Sequence, residues 1–152
     1  MKLCVLLDNG HGNNTKGKCS PDKRILEYKW CREIVNMIYN ELNKLGIAVF
    51  NITPEFSDIS LTERVKRVNK QYTVMKNKGY HCILISVHIN AAGSDGKWHD
   101  ASGWTGWVST KASKNSKRLA QLLYAEAEKQ GLKGNRWVPD CKYWEANYTI
   151  TT

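Results

Sequence analysis

The sequence predicts an α/β fold in which a mostly parallel sheet is flanked by helices, giving three layers. Short apolar runs of strand length recur along the chain, amphipathic helical patterns separate them, and a glycine follows each helical pattern. Strands that alternate with helices pair in parallel and have both faces covered. Ligands of such sheets bind beyond the carboxyl ends of the strands, so functional residues are expected at that edge.

The elements of the first half of the chain follow from apolar spacing and from glycine positions. The first strand is predicted at residues 3–7, and a polar loop follows at residues 12–21. A helix is expected over residues 24–45, because its apolar residues fall on one stripe and Gly46 stands where a helix would end. The second strand is predicted at residues 47–52.

The second half of the chain continues the alternation. Ser60 and Glu63 have the spacing of a capping box, which predicts a helix over residues 60–79. A strand, a strand-like run and a final helix are expected at residues 82–87, 104–108 and 113–130. No internal repeat or linker interrupts this order, and the chain is therefore predicted to form one domain over residues 1–152.

Length and composition predict an ordinary globular protein. The 152 residues are 41% hydrophobic and 24% charged, which argues against a disordered chain. Apolar runs stay well below the roughly 18 residues that a membrane span needs, so no membrane insertion is expected. The apolar start is too short for an export signal and ends in Asp8, which indicates synthesis in the cytoplasm without a signal peptide.

The cysteine count indicates the redox compartment, and the net charge indicates the kind of partner. Five cysteines without a C-x-x-C pair favour free thiols and a reducing compartment during synthesis. The net charge of +9 favours a polyanionic partner such as nucleic acid, an anionic membrane or a bacterial wall polymer. Charge alone does not choose among these partners.

Two histidines and one glutamate are the strongest candidates for a functional site. His11 follows the predicted strand at residues 3–7, and His88 follows the predicted strand at residues 82–87. Since the carboxyl ends of parallel strands meet at one edge, both imidazoles can reach the same place. Glu27 would complete a set of two nitrogen ligands and one oxygen ligand, which suits zinc and leaves a position open.

Each of these three residues also has an ordinary structural interpretation. His11 could belong to a turn, and His88 could be a hydrogen-bonded core histidine. Glu27 could be a favourable charge near a helix N-terminus. The metal-site hypothesis is preferred because both histidines occupy strand ends and Glu27 lies early in the helix that follows the first strand.

Several short stretches, in this order, resemble the zinc-dependent N-acetylmuramoyl-L-alanine amidases of the type 3 family, which occur among bacterial autolysins and phage endolysins. The stretches are residues 7–12, 26–27, 60–64 with Asn69, and 86–91. Each motif alone is weak, but the ordered set is specific. The resemblance covers residues 3–91 and continues less distinctively through the last predicted helix.

The resemblance implies a peptidoglycan hydrolase that cleaves the amide between the lactyl group of N-acetylmuramic acid and L-alanine. Its zinc ion would be held by His11, Glu27 and His88, and its partner would be peptidoglycan rather than nucleic acid. Arg64 and Asn90 match family positions and are expected to contact substrate. Together with the absent export signal, this implies a phage endolysin or a released lytic enzyme that acts on the cell wall.

The general base that the resemblance implies has no match in the sequence. In the family it is a glutamate at the end of a later strand, whereas Glu126 and Glu128 fall in the final helix and Glu145 lacks a preceding strand. The catalytic residue is therefore unknown, and the chain is hypothesised to be a truncated or split amidase that keeps its metal ligands. Residues 148–152 resemble the lead into the missing strand. An exposed sheet edge would then favour self-association.

Binding without catalysis is the alternative function. The unmatched base and the charge of +9 fit an inactive, zinc-containing wall-binding module. The group of Trp98, Trp104 and Trp107 could stack on sugar rings, although core packing is the commoner use of tryptophan. Nucleic-acid binding would explain the charge but not the two histidines at strand ends.

A phosphate-binding loop is a remote alternative. Residues 12–19 come after a strand and are one substitution from that motif. Cys19 stands where the motif needs Ser or Thr to reach magnesium, and Ser20 and Pro21 follow where a helix should begin. Nucleotide binding is therefore disfavoured.

Overall fold

The computed structural model describes residues 2–90, 93, 95–109 and 111–133. The chain divides into two units, Met1–Ala91 and Ala92–Thr152. The first unit contains the sheet and two helices, and the second contains one described helix. The one-domain interpretation stays a prediction.

The sheet of the first unit is parallel throughout. It consists of β1 (Lys2–Asn9), β2 (Ala48–Asn51) and β3 (Tyr80–Val87) in the order β2-β1-β3. The central strand β1 is covered on both faces, which explains why it reads as a continuous apolar run instead of an alternating one. The predicted α/β class with a parallel sheet is confirmed.

Helices cover both faces of this sheet. Helix α1 (Glu27–Lys44) packs on one face and α2 (Leu61–Asn77) on the other. The buried cluster under α1 comprises Val5, Leu7, Val35 and Val49. The buried cluster under α2 comprises Cys4, Leu6, Ile52 and Met75. Alternate residues of β1 thus supply the two faces of a three-layer unit.

Helix α1 begins three residues later than the pattern predicts, at Glu27 instead of residue 24. Leu26 is extended, with φ −107° and ψ 113°, and forms an antiparallel bridge with Cys19. Two segments of the polar loop after β1 therefore pair with each other before the helix starts. A helix directly after Cys19, which a phosphate-binding loop would need, is not formed.

Helix α2 begins where its capping box predicts. The Ser60 hydroxyl oxygen accepts a hydrogen bond from the Glu63 N–H at 3.3 Å. The chain leaves the helix through Gly79, whose φ of 80° lies in the left-handed region that glycine adopts readily.

The strand predicted at residues 104–108 is wrong, because the structure describes these residues and places them in no strand. The Trp104 N–H donates to the Leu132 carbonyl oxygen, and the Trp107 indole N–H donates to the Thr105 hydroxyl. These loop contacts take the place of the strand-to-strand hydrogen bonds that the aromatic and β-branched residues of this segment suggest. The last predicted helix is observed as α3 (Lys114–Lys129), capped by Ser113.

Among the described residues, no helix combines the length and the apolar character needed to cross a bilayer. Cys141, Glu145 and residues 148–152, which enter the hypotheses about thiols and the missing strand, lie outside the described residues. Self-association through a sheet edge stays a prediction.

Candidate metal centre

The ends of β1 and β3 bring two imidazoles together. Strand β1 ends at Asn9 and β3 ends at Val87, and the Gly10 N–H joins the two ends by donating to the Val87 carbonyl oxygen at 2.9 Å. His11 and His88 follow these ends, and their ring centroids lie 5.0 Å apart in an edge-to-face arrangement. The parallel pairing of two strands thus accounts for the meeting of residues far apart in sequence.

The carboxylate of Glu27 lies between the two histidines. Its Oε1 atom is 3.5 Å from His11 Nε2 and 3.2 Å from His88 Nδ1, and the three donor atoms all lie within 4.8 Å of one another. The Ile89 N–H donates to the same oxygen at 3.0 Å and fixes its position. Tetrahedral zinc with bonds of roughly 2.0–2.1 Å separates neighbouring donor atoms by about 3.3 Å, so the cluster has the dimensions of such a site.

The local environment favours the protonation states that a metal requires. Burial lowers the pKa of His11, and the Lys18 charge acts in the same direction, so the imidazole is neutral at neutral pH. Burial alone would raise the pKa of Glu27, but hydrogen bonds with His88 and the Ile89 N–H outweigh it and hold the pKa below its usual value. A neutral imidazole and an ionised carboxylate are the forms that bind divalent cations.

Cys31 lies one helical turn after Glu27 and is fully buried. Burial raises the pKa of its thiol to about 11, and the Glu27 charge adds to the effect. The thiol therefore stays protonated at neutral pH, and a thiol in that form is a poor metal ligand. The donor set of the cluster is two nitrogens and one oxygen.

Arg32 holds the backbone of His11 in an unusual conformation. His11 has φ 55°, in the left-handed region that non-glycine residues seldom adopt. Both terminal nitrogens of Arg32 donate to the His11 carbonyl oxygen at 3.1 Å, and the guanidinium also donates to the carbonyl oxygens of Tyr28 and Glu55. Since Arg32 is on the helix that carries Glu27, one helix positions two of the three donor residues.

Gly10 is required by the close approach of the two strand ends. A Cβ atom at this position would lie 2.7 Å from both His88 Nδ1 and the Val87 carbonyl oxygen. We expect Gly10→Ala to lower zinc affinity by about 10–100-fold, the range found when groups that orient a metal ligand are lost. Competition with a chromogenic chelator measures this affinity.

The matched control for this substitution is Gly46→Ala. Gly46 follows α1, has φ 70°, and has open space where a Cβ would be added. We expect Gly46→Ala to cost about 1 kcal/mol of unfolding free energy, because alanine is strained at this positive φ, while leaving zinc affinity unchanged. Wild-type zinc affinity in Gly10→Ala would contradict the positioning argument.

Arg64 links the end of β1 to the loop before α2. Its guanidinium contacts Asp8 Oδ1 at 2.7 Å and Asp58 Oδ1 at 2.9 Å, and it also donates to the carbonyl oxygens of Asn9 and Ile59. The side chain is 9% exposed, and most of its donors are engaged in the fold. Contact of Arg64 with substrate stays a prediction, whereas its structural contacts are observed.

Asp8 extends this network across the sheet. It accepts from Thr53 Oγ1 at 3.0 Å and from Ser86 Oγ at 2.6 Å, in addition to Arg64. Thr53 follows β2 and Ser86 belongs to β3, so one buried carboxylate links all three strand ends. This network gives the histidine-bearing edge a fixed register.

The other predicted contact residues differ in their exposure to solvent. Asn90 is exposed and stands two positions after His88, and its contact with substrate stays a prediction. Trp98 is 60% exposed, whereas Trp104 and Trp107 are partly buried. Sugar stacking by this group likewise stays a prediction.

Sequence reasoning missed Arg32 and Gly10, which position the donor residues. A signal for Arg32 was present, because it is a charged residue on the buried side of α1, next to Cys31 and close to Val35. Buried arginines require partners, so its position already indicated a polar structural role. The need for glycine at position 10 depends on the distance between two strands, which no local pattern contains.

Comparison with protein families agrees with the resemblance of the motifs. The family model described as N-acetylmuramoyl-L-alanine amidase matches residues 5–151. No curated protein matches the chain significantly.

Several solved structures are similar to this chain. An N-acetylmuramoyl-L-alanine amidase from Clostridium difficile 630 is 28% identical, with a TM-score of 0.60, and the match covers 79% of this chain and 59% of that one. The catalytic domain of CwlV, an N-acetylmuramoyl-L-alanine amidase from Bacillus (Paenibacillus) polymyxa var. colistinus, is 22% identical with a TM-score of 0.63, covering 88% and 66%. The CwlD amidase from Clostridioides difficile, solved in complex with the GerS lipoprotein, is 20% identical with a TM-score of 0.60, covering 84% and 66%.

The latter two similarities show a shared fold. This chain spans 59–66% of the length of the three solved chains.

Proposed function

The chain belongs to the N-acetylmuramoyl-L-alanine amidase family, and from this membership we propose that it acts on peptidoglycan through a zinc site. The proposed reaction is hydrolysis of the amide between N-acetylmuramic acid and L-alanine. The proposed ligands are His11, Glu27 and His88.

The observation that carries the proposal is the convergence of these three donor atoms within 4.8 Å at the ends of β1 and β3. Two imidazoles and one carboxylate form a ligand set of catalytic zinc sites, which keep a further position open. The same set also occurs in iron(II) oxygenases, so the identity of the metal has to be measured. Family membership favours zinc.

The residues around the site account for metal binding and for the access of substrate to the metal. When bound, zinc supplies a Lewis acid and lowers the pKa of a coordinated water to about 7. The His88 side chain is 48% exposed and that of His11 is 21% exposed, so substrate can approach from the solvent side. The Glu27 side chain is 10% exposed, and the Ile89 N–H orients its carboxylate. Glu27 would therefore bind the metal from the buried side, opposite the side that faces solvent.

A carboxylate general base is also needed for amide hydrolysis, because a proton must pass from water to the leaving amine. Asp58 acts electrostatically on His11, but its oxygens accept from Thr15 Oγ1 at 2.6 Å and from Arg64 at 2.9 Å. Asp58 is thus engaged in the fold, and the residue that serves as base is not assigned.

Peptidoglycan is the proposed partner, and the cell wall is the proposed place of action, as a phage endolysin or a released lytic enzyme. The net charge of +9 supports association with an anionic wall polymer. A wall-binding module without hydrolytic activity is the second candidate, since the same net charge would also serve binding alone.

The test combines metal analysis with digestion of purified muropeptides. We expect about one equivalent of zinc per chain and release of peptides with a free L-alanine amino group. Chelation should abolish the release and added zinc should restore it. Zinc binding without release supports the wall-binding module instead. A chain that takes up no zinc, or prefers iron, contradicts the proposed site.

A further inference from the structure

The loop that joins two of the proposed ligands is strongly basic. Residues 12–26 run from the residue after His11 to the residue before Glu27 and carry four cations, namely Lys16, Lys18, Lys23 and Arg24. Their single carboxylate, Asp22, is paired with Arg24. The remaining cations of this loop are the three lysines.

The backbone of Lys18 is held next to Glu27, one of the proposed ligands. Its carbonyl oxygen accepts a hydrogen bond from the Glu27 N–H at 3.0 Å, and the neighbouring Cys19 bridges to Leu26. Backbone pairing therefore fixes the position of the Lys18 backbone relative to Glu27.

The lysines of the loop are available to an external anion. Within the part of the chain that the structure describes, no carboxylate lies within ion-pair distance of Lys16, Lys18 or Lys23. All three residues are exposed. A lysine ammonium group near a bound cation is repelled by it unless an anionic ligand neutralises both charges, so lysines in this loop favour an anionic ligand.

We propose that Lys18, with Lys16 as a neighbouring charge, forms a carboxylate-binding subsite for the peptide of the substrate. This inference rests on the proposed function, because it assumes that the scissile amide is held at the metal. The peptide that follows L-alanine in peptidoglycan contains a D-glutamate joined through its γ-carboxyl group. Its α-carboxylate is free in some wall types and amidated in others. The subsite therefore selects the carboxylate form over the carboxamide.

The expected selectivity is modest because Lys18 is exposed. Exposed ion pairs contribute up to about 1 kcal/mol, which corresponds to about a fivefold difference in affinity. This difference should decrease as salt is added, since screening acts on exposed charges.

The test uses the zinc-loaded full chain and two peptides that differ only in this group. They are L-Ala-γ-D-Glu-L-Lys and the same peptide with the glutamate α-carboxylate converted to a carboxamide, and isothermal titration calorimetry measures their binding. We expect the wild type to bind the carboxylate form about fivefold more tightly. Lys18→Gln should bind both forms alike. Lys66→Gln, which removes an exposed cation from α2, should retain the wild-type preference.

Two outcomes would overturn the subsite: equal binding of both peptides by the wild type, or an unchanged preference in Lys18→Gln. Because binding of these peptides requires no cleavage, the result is independent of hydrolytic activity. A wild type that prefers the carboxylate peptide but does not cleave muropeptides would support the subsite and count against the hydrolase. A wild type that cleaves muropeptides but binds both peptides alike would overturn the subsite and support the hydrolase.

Discussion

His88→Ala is expected to bind zinc far more weakly than the wild type and to lose amide hydrolysis with it. Loss of an outer partner of a ligand already lowers metal affinity or activity by about 10–100-fold, and loss of a ligand itself should exceed that range. Metal analysis after dialysis, together with muropeptide digestion, measures both effects.

The fold should survive this substitution, because the His88 side chain is 48% exposed. Substitutions at such positions usually change the unfolding free energy by less than about 0.5 kcal/mol. His81→Ala is the matched control, since His81 is an exposed histidine near the start of β3, the strand that His88 follows. His81→Ala should keep its zinc. Stoichiometric zinc in His88→Ala would refute the assignment of this ligand.

Arg64→Ala is expected to reduce the free energy of unfolding by about 3–5 kcal/mol, because removing one partner of a buried ion pair leaves the other charge uncompensated. Asp8 would lose its cation while remaining 8% exposed. Urea denaturation of the metal-free protein measures the change. Arg67→Ala is the matched control on the same helix, since its ion pairs with Glu55 and Glu63 are solvent-accessible and should cost at most about 1 kcal/mol.

The dependence of stability on pH should change in the same variant. Burial alone would raise the pKa of Asp58, but hydrogen bonds from Thr15 and Arg64 hold it below its usual value. A carboxyl group whose pKa is lower in the folded state stabilises the fold above its unfolded pKa of about 3.9 and loses that contribution as pH falls below it. Arg64→Ala should therefore lose less stability than the wild type between about pH 4 and pH 2. An equal loss in both proteins would contradict the role of the Asp58–Arg64 pair.

A stable Arg64→Ala variant with weakened substrate binding would instead support the predicted contact of Arg64 with substrate.

The sequence predicts the meeting of the two histidines because that meeting depends on simple topology. His11 and His88 each follow an apolar run, and parallel pairing of the two strands is enough to bring them together. The role of Arg32 could be inferred only in part, since its burial is readable but its acceptor, the His11 carbonyl oxygen, is set by a left-handed turn. Patterns along the chain report which face is buried, not which atoms meet there.

The failures of sequence reasoning have local physical causes. Residues 104–108 have strand-forming composition, yet the Trp104 N–H pairs with the chain after α3, and tertiary contacts of this kind override β propensity. The start of α1 was misplaced because Leu26 pairs with Cys19, a contact within a loop that apolar periodicity does not register. Both errors fall where a few hydrogen bonds decide between conformations of similar energy.

The central claim is that His11, Glu27 and His88 share one zinc ion. X-ray absorption at the zinc edge of the loaded protein tests it most directly. We predict a four-coordinate site with two imidazole nitrogens and oxygen ligands at about 2.0–2.2 Å, and one fewer imidazole in any zinc that His88→Ala retains. A sulfur ligand at about 2.3 Å, or a zinc ion surrounded only by oxygen, would contradict the claim.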